Sequence, residues 1–314
     1  MEIQRRGEAR PEGASRRDSE SFLDRWIRGW SWLDGPAEAV QTVIGDFYTT
    51  LRGPGQVLKN VMHGTAVVRH PLHPMLTDVP LGAWTVAVIA DWAFVVTGRI
   101  PAAAGDVALA VGIAGALLAA VSGYTDFHET IGNERRLALT HGLLMTLVVV
   151  LMLVSFAMRL VGVHALRLPA IELSTLMYLV ALGGAYVGGH LTFGLGTMVN
   201  HNAFAEGPAD YMKLGTPSDF AEGRMVRVDA KGLPVMVVRI NGTLNAIGAV
   251  CSHAGGPLDE GKLGGCIVTC PWHASRFDVT NGEVKGGPAT FSQPQLIVRE
   301  SGGAVEVKLA HPLH

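Results

Sequence analysis

The pattern of hydrophobic and polar positions divides the chain into three regions. Residues 1–22 are charged and contain proline, glycine and serine without periodicity, which is typical of a disordered tail. Between residues 23 and 33, Trp26 and Trp30 recur at helical spacing, which favours a short amphipathic helix at a membrane surface; a core helix of a soluble domain is the alternative. We therefore predict a disordered tail and an interfacial helix over 1–35.

Four long apolar segments follow, and each has roughly the 20 residues that cross a bilayer core. They cover about 79–98, 104–124, 141–161 and 172–195. Because the connections between them are short, neighbouring helices should be antiparallel in a four-helix bundle. Glycines four residues apart, as at Gly184 and Gly188, indicate helices that pack closely in lipid. We expect a four-helix transmembrane domain over 36–200.

The pattern changes again beyond a polar stretch at 201–215, which is predicted to be a linker. Short β-rich runs alternate there with Asn-Gly and Gly-Gly pairs, which are typical of tight turns between antiparallel strands. An all-β domain is therefore predicted over 216–312. The fold class expected for the chain is a multidomain membrane protein, with an all-α four-helix transmembrane bundle followed by an all-β domain.

Composition supports a membrane protein and limits its partners. The mean hydropathy is +0.29 and 17% of residues are charged, so membrane lipid is an expected partner. The net charge of −2, without a basic stripe among aromatic residues, argues against nucleic acid. An even number of spans puts both termini on one side, and the N-terminal arginine pairs precede no apolar stretch that would make an export signal. We therefore expect both termini in the cytoplasm.

All three cysteines, Cys251, Cys266 and Cys270, lie within twenty residues, which argues for metal binding rather than a disulfide framework. Two of them form pairs with histidines, Cys251-Ser-His253 and Cys270-Pro-Trp-His273. Zinc is the alternative occupant, but zinc sites usually pair like with like. C-x-H followed by C-x-x-H is typical of a cluster with two cysteines on one iron and two histidines on the other. Cys266 is left as a buried free thiol.

The stretch 251–289 resembles a Rieske ferredoxin domain almost throughout, and the resemblance extends over about 216–308. It implies a [2Fe–2S] cluster with a buried ferric iron on the two cysteines. The outer iron, which changes valence, would be held by the two histidines, and these would be exposed. The resemblance also implies that the Gly-Gly-Pro turn ending at Pro288 covers the cluster.

Departures from the family indicate a low potential. Rieske domains of respiratory cytochrome bc complexes carry a further disulfide, where this sequence has Gly256 and Trp272. They also use a serine and a tyrosine to donate hydrogen bonds to sulfur, which raises the potential. Ser275 is retained here, but Phe277 stands at the tyrosine position. We expect a ferredoxin-type cluster in the lower part of the Rieske range of roughly −150 to +300 mV.

Histidines also occur in the N-terminal domain. The segment HPLHPMLTDVPLGAW resembles bacterial four-helix membrane domains of unknown function, which implies a bacterial inner membrane. His73, His128, His141 and His190 fall at the helix ends nearest the Rieske domain. His141 and His190 are the leading axial ligands for a b-type haem, with His73 and His128 as alternatives; bonding to water or loop carbonyls is the other interpretation. Asp91 is interpreted as a proton-relay group or an interhelical hydrogen-bond partner.

The expected function is single-electron transfer between a cytoplasmic donor and a membrane acceptor, namely a haem, a quinone or a partner enzyme. The ferredoxin component of a Rieske-type oxygenase system and a redox sensor are the alternatives. A Rieske oxygenase needs a large domain with a mononuclear iron, and the chain ends about 40 residues after His273. An electron carrier is therefore favoured over a stand-alone oxidoreductase.

Overall fold

The computed structural model describes residues 21–311, so most of the predicted N-terminal tail lies outside the described residues. Within that range, three short helices lead into four long ones. The helices are α1 (Phe22–Arg28), α2 (Asp34–Thr50), α3 (Arg52–His63), α4 (Leu72–Thr97), α5 (Ala102–Phe127), α6 (Gly132–Leu160) and α7 (His164–Phe193).

The four long helices have 26, 26, 29 and 30 residues, and each is long and apolar enough to cross a membrane. Trp84, Leu109, Val148 and Met152 belong to the apolar core between them. All four begin before the apolar segments predicted from hydropathy, because the helical backbone continues through polar residues at the boundary. The predicted four-helix membrane architecture is confirmed.

Helices α2 and α3 pack against the end of the bundle from which the β domain emerges. The Tyr48 hydroxyl of α2 lies 2.6 Å from the hydroxyl of Thr125 in α5. The sequence analysis did not predict α3, since glycine and proline follow Arg52. The chain turns at Arg52, which has a φ of 55°, and Pro54 falls in the first helical turn, where proline is tolerated.

The β domain contains two antiparallel sheets. Its strands are β1 (Met212–Gly215), β2 (Val226–Ala230), β3 (Leu233–Ile240), β4 (Thr243–Gly248), β5 (Lys262–Gly264), β6 (Ile267–Thr269), β7 (Arg276–Asp278), β8 (Val284–Gly286), β9 (Gln295–Ser301) and β10 (Ala304–Leu309). The six-stranded sheet has the order β1-β10-β9-β4-β3-β2, and the four-stranded sheet has the order β5-β6-β7-β8. The last residues of the predicted linker thus form β1, because they pair with β10 at the sheet edge.

The β domain rests directly on the helical domain. The Thr65 hydroxyl, between α3 and α4, donates to the carbonyls of Gly287 and Ala289 at 2.9 and 3.0 Å. After α7, the Met198 N–H donates to the carbonyl of His253 at 3.0 Å. These bonds hold two loops of the β domain against the bundle end.

Candidate metal centre

Two loops of the β domain carry the four predicted ligands in the same backbone arrangement. In the first loop, after β4, the Cys251 N–H donates to the carbonyl of Gly256 at 2.8 Å. In the second, after β6, the Cys270 N–H donates to the carbonyl of Ser275, also at 2.8 Å. Each loop therefore closes five residues after its cysteine.

The four side chains converge in a buried place. Cys251 and Cys270 are 1% and 3% exposed, and their thiols are hydrogen-bonded to each other. The ring centroids of His253 and His273 are 4.9 Å apart. The hydrogen bond from Cys251 lowers the pKa of the Cys270 thiol to about 6, and backbone N–H groups of its loop add to this effect. The same bond, together with burial, raises the pKa of the Cys251 thiol, so the pair loses its first proton at Cys270, and the thiolate is the form that binds iron.

The imidazole nitrogens also suit metal binding. Nε2 of His273 lies 2.9 Å from the carboxylate of Glu134 in the first turn of α6. Because a carboxylate only accepts, Nε2 carries the proton and Nδ1 keeps its lone pair. Both ring nitrogens of His253 are buried without a hydrogen-bond partner in the described part of the chain. Burial, followed by the charge of His273, lowers the pKa of His253 to about 3, so its imidazole is neutral.

This donor set fits a binuclear cluster. Within residues 21–311, no three His, Cys, Asp or Glu side chains group closely enough for one metal ion. A [2Fe–2S] cluster instead distributes two thiolates and two imidazoles over two irons. The iron of such a cluster would bind a ring nitrogen of His253, neither of which has a hydrogen-bond partner, and Nδ1 of His273, which keeps its lone pair.

The histidine edge is covered, which corrects the expectation of exposed histidines. His253 and His273 are each 4% exposed. The expectation came from Rieske ferredoxins that consist of this domain alone. Here the helical domain covers the two histidines, and its Glu134 bonds to His273. The Thr197 hydroxyl, beyond α7, donates to the other oxygen of Glu134 at 2.7 Å and fixes the carboxylate.

The loop around Pro288 is buried beside the second ligand loop. Gly287 has a φ of 81°, and a Cβ there would lie 2.7 Å from the Cα of Ser275, so only glycine fits this approach. The Ser275 hydroxyl accepts from the N–H of Ala289 at 3.1 Å and is hydrogen-bonded to the Cys251 thiol. Phe277 is fully buried and supplies no donor.

Comparison with known proteins agrees with this geometry. The family model of the Rieske [2Fe–2S] domain matches residues 210–297. The ferredoxin component of biphenyl 2,3-dioxygenase from Rhodococcus jostii is 33% identical over 97 residues, which are 31% of this chain and 91% of that protein. The chain belongs to the Rieske [2Fe–2S] family. A second family model, a predicted membrane protein family named DUF2231, matches residues 69–201.

Other relatives match the Rieske domain over a similar length. The ferredoxin component of the p-cumate 2,3-dioxygenase system from Pseudomonas putida is 34% identical over 107 residues, which are 33% of this chain and 91% of that protein. Among solved structures, the ferredoxin of carbazole 1,9a-dioxygenase from Nocardioides aromaticivorans is 30% identical, with a TM-score of 0.30, and the match covers 31% of this chain and 95% of that one. The two family models and the identity with the two ferredoxin components make this an electron-transfer Rieske protein with a membrane domain, and its Rieske domain implies a [2Fe–2S] cluster.

The histidines of the membrane domain are distributed differently from the prediction. His141 faces His73, with ring centroids 6.1 Å apart. Nε2 of His190 lies 3.1 Å from the Ser21 hydroxyl, just before α1, so His190 is turned toward the N-terminal segment. His128 contacts the Lys59 amine at 3.3 Å. The structure therefore pairs His141 with His73 rather than with His190.

Asp91 takes one of its two predicted roles. Its carboxylate bonds to the Arg159 guanidinium of α6 at 2.7 Å, and both side chains are 1% exposed. This interhelical ion pair lies at the bundle end opposite the Rieske domain, which favours a structural role over proton relay.

Two further groups near the cluster were missed from the sequence. One is Glu134, and the other is the buried pair of His63 and Asp126, joined at 2.6 Å. His63 and Asp126 lie in helix-end segments without a motif, and only the fold brings them beneath the Rieske domain.

Proposed function

We propose that this protein is a membrane-anchored electron carrier whose cluster is held by Cys251, His253, Cys270 and His273. Electrons pass singly between a donor and an acceptor held in, or reached through, the helical domain. The observation that carries this proposal is the burial of the histidine edge against the helices, with Glu134 bonded to His273. Electrons normally leave such a cluster at the histidine-bound iron, and here that edge faces the membrane domain.

The residues have distinct parts in this function. When bound, the cluster supplies reversible one-electron chemistry. The cysteine thiolates and imidazoles hold it, and Ser275 donates to the Cys251 sulfur, which stabilises the reduced form. Pro288 and its glycines exclude water on one side, and the helical domain does so on the other.

We place the Rieske domain in the cytoplasm and the helices in the inner membrane of a bacterium. The bundle end under the cluster carries Lys59, Arg69, Arg135 and Arg136. The opposite end carries Arg99 and Arg167, while its third arginine, Arg159, is buried in an ion pair inside the bundle and does not count as loop charge. Basic residues therefore favour the cluster side as the cytoplasmic side.

The ligand assignment is tested by spectroscopy of the purified full chain. Two irons and two sulfides per chain and a Rieske EPR signal are expected. His253→Cys should keep a cluster but lower its potential, since thiolate is a charged and stronger donor than imidazole. An unchanged EPR spectrum in this variant would rule out His253 as a ligand. Cys266→Ser is the matched control and should leave spectrum and potential unchanged.

Whether the covered histidine edge directs electrons into the helical domain is tested by comparing two oxidants of the reduced cluster. In proteoliposomes, a lipid-soluble one-electron oxidant should reoxidise the reduced cluster faster than a water-soluble oxidant of equal potential. Equal rates would show that the helical domain does not direct transfer.

A second candidate is the ferredoxin component of an oxygenase system. Its support is that the matched relatives are named as such components. In that role, the histidine edge has to separate from Glu134 so that a soluble enzyme can approach. Rapid reduction of a purified oxygenase component by the intact chain would favour this candidate over a membrane acceptor.

A further inference from the structure

Two imidazoles face each other across the bundle, one from α4 and one from α6. The packing neighbours of the long helices are α4 with α5, α5 with α6, α6 with α7, and α7 with α4, so α4 and α6 are diagonally opposite. His73 in α4 and His141 in α6 reach across this diagonal, with ring centroids 6.1 Å apart and ring planes at 76°. They lie at the bundle end nearest the Rieske domain.

Each ring is held by a hydrogen bond to a backbone carbonyl of a neighbouring helix. Nδ1 of His73 lies 2.9 Å from the carbonyl of Ala119 in α5, and Nδ1 of His141 lies 2.9 Å from the carbonyl of Gly184 in α7. Because a carbonyl only accepts, Nδ1 carries the proton in both rings and Nε2 keeps its lone pair. Neither Nε2 has a hydrogen-bond partner among the residues that the structure describes. A backbone carbonyl on the second nitrogen is the usual support of a metal-binding histidine.

A glycine lies one turn after each of these carbonyls. A Cβ at Gly123 would be 2.7 Å from Cε1 of His73, and a Cβ at Gly188 would be 2.9 Å from Cε1 of His141. Any side chain at either position would displace the ring. The sequence therefore repeats one arrangement on two helix pairs, and in each an imidazole lies close to the Cα of a glycine, where no side chain would fit.

The number of donors identifies the class of ligand. No third histidine, cysteine or carboxylate joins the pair into a metal-ion site within residues 21–311, so a tetrahedral zinc ion would lack ligands. Haem iron brings four nitrogens of its own and needs only two axial ligands. Facing histidines on helices of a bundle are the donors that such an iron takes.

We propose that His73 and His141 are the axial ligands of a b-type haem in the membrane domain. The haem exchanges electrons with the cluster. This exchange rests on the proposed function, whereas haem binding does not. Thr65 bonds to the Gly287 loop beside the proposed cluster, and only seven residues lie between Thr65 and His73 in the chain. The two proposed redox centres are therefore linked by a short segment. In the transfer step, the reduced cluster loses one electron and ferric haem iron gains it, and no bond to iron forms or breaks.

The first test is the haem content of the full chain, produced with a haem precursor and purified in detergent. One haem per chain is expected, with a low-spin b-type spectrum. His73→Ala and His141→Ala should each lose it and keep the Rieske EPR signal, which shows that the Rieske domain of the variant is folded. His190→Ala and His128→Ala are matched controls and should retain the haem.

A second measurement needs no variant. Axial imidazole planes that are close to perpendicular give ferric haem a strongly anisotropic low-spin EPR signal, whereas parallel planes give a rhombic one. The angle of 76° predicts the anisotropic form. A rhombic signal would contradict this ligand geometry even if the histidine variants failed to fold.

Several outcomes overturn the proposal. The first is a purified chain that has a full Rieske signal and no haem. The second is that His190→Ala loses the haem while His73→Ala retains it. The third is that a metal ion is bound in place of haem. The first would leave the proposed function intact. Absence of the Rieske signal from a chain that retains haem would reject the proposed function and leave the haem site standing.

Discussion

At the scale of single residues, the helical domain contacts His273, one of the four proposed ligands of the cluster. Glu134 accepts a hydrogen bond from Nε2 of His273 at 2.9 Å and is itself fixed by Thr197. A carboxylate beside the outer iron stabilises the oxidised, more positive cluster. Together with the missing hydroxyl at Phe277, it favours a low potential.

Glu134→Gln should therefore raise the midpoint potential, by roughly 50 mV, which is about 1 kcal/mol for one electron. Redox titration monitored by EPR measures the shift. Glu129→Gln is the control, because that buried carboxylate bonds to Lys59 rather than to a cluster ligand. An equal rise in both variants would mean that general charge, and not the bond to His273, sets the potential.

Ser275→Ala should have the opposite effect. Its hydroxyl is hydrogen-bonded to the Cys251 thiol, and loss of a donor to sulfur destabilises the reduced cluster. The potential should fall by roughly 50 to 100 mV, on the order of 1 to 2 kcal/mol. Ser252→Ala serves as the control, since Ser252 is equally buried but donates to the carbonyl of Phe291. A potential unchanged by Ser275→Ala would remove this residue from the cluster environment.

At the scale of elements, the two ends of the bundle are built differently. The end near the cluster carries the facing histidines, while the far end is joined by the buried pair of Asp91 and Arg159. Ser174 of α7 accepts from the same guanidinium at 2.7 Å. Asp106 of α5 accepts from Arg159 as well, at 3.1 Å, so this network links all four long helices where no other domain supports them.

Arg159→Met should destabilise the bundle by about 3–5 kcal/mol, because it removes the nearest partner of the buried Asp91 carboxylate and leaves only Arg167, 3.9 Å away. Thermal unfolding in detergent, followed by circular dichroism, should show a lower midpoint. The double variant Asp91→Leu/Arg159→Met should recover much of the loss, since it removes the buried carboxylate together with its guanidinium and leaves Asp106 and Arg167 paired with each other. Arg99→Met, at an exposed position of the same end, should change little. A double variant less stable than the single one would argue for a role of the charges beyond packing.

At the scale of the whole molecule, the docking of the two domains places the proposed cluster site against the helical domain. Bonds from Thr65 and Met198 hold the loops at Gly287 and His253 against the bundle end. The arrangement turns a domain that resembles a soluble ferredoxin into one whose reactive edge faces helices.

Orientation in the membrane follows from two matched positions. Ala209→Cys lies at an exposed place beside the Rieske domain, and Arg99→Cys lies at an exposed place on the opposite end. A membrane-impermeant maleimide added to intact cells should label only Arg99→Cys, while Ala209→Cys should react after permeabilisation. The reverse pattern would place the Rieske domain outside the cytoplasm.

Local patterns in the sequence were enough for the fold class and for the type of cluster. Long apolar runs require helices in lipid, and the helical architecture of the membrane domain is confirmed. The Cys/His spacing led to the Rieske family because each pair lies within a single loop, where sequence distance determines spatial distance. The assignment of the four ligands remains a prediction.

Contacts between distant segments were decided only by the tertiary structure. The sequence placed four histidines at one membrane face, but their rotation about each helix axis and the helix order in the bundle set His73 against His141. Glu134 is an ordinary helix-start residue until the β domain docks on α6 and brings His273 to it. Hydropathy and motif spacing determine what each segment forms, whereas side-chain direction and domain docking depend on packing among segments far apart in the chain.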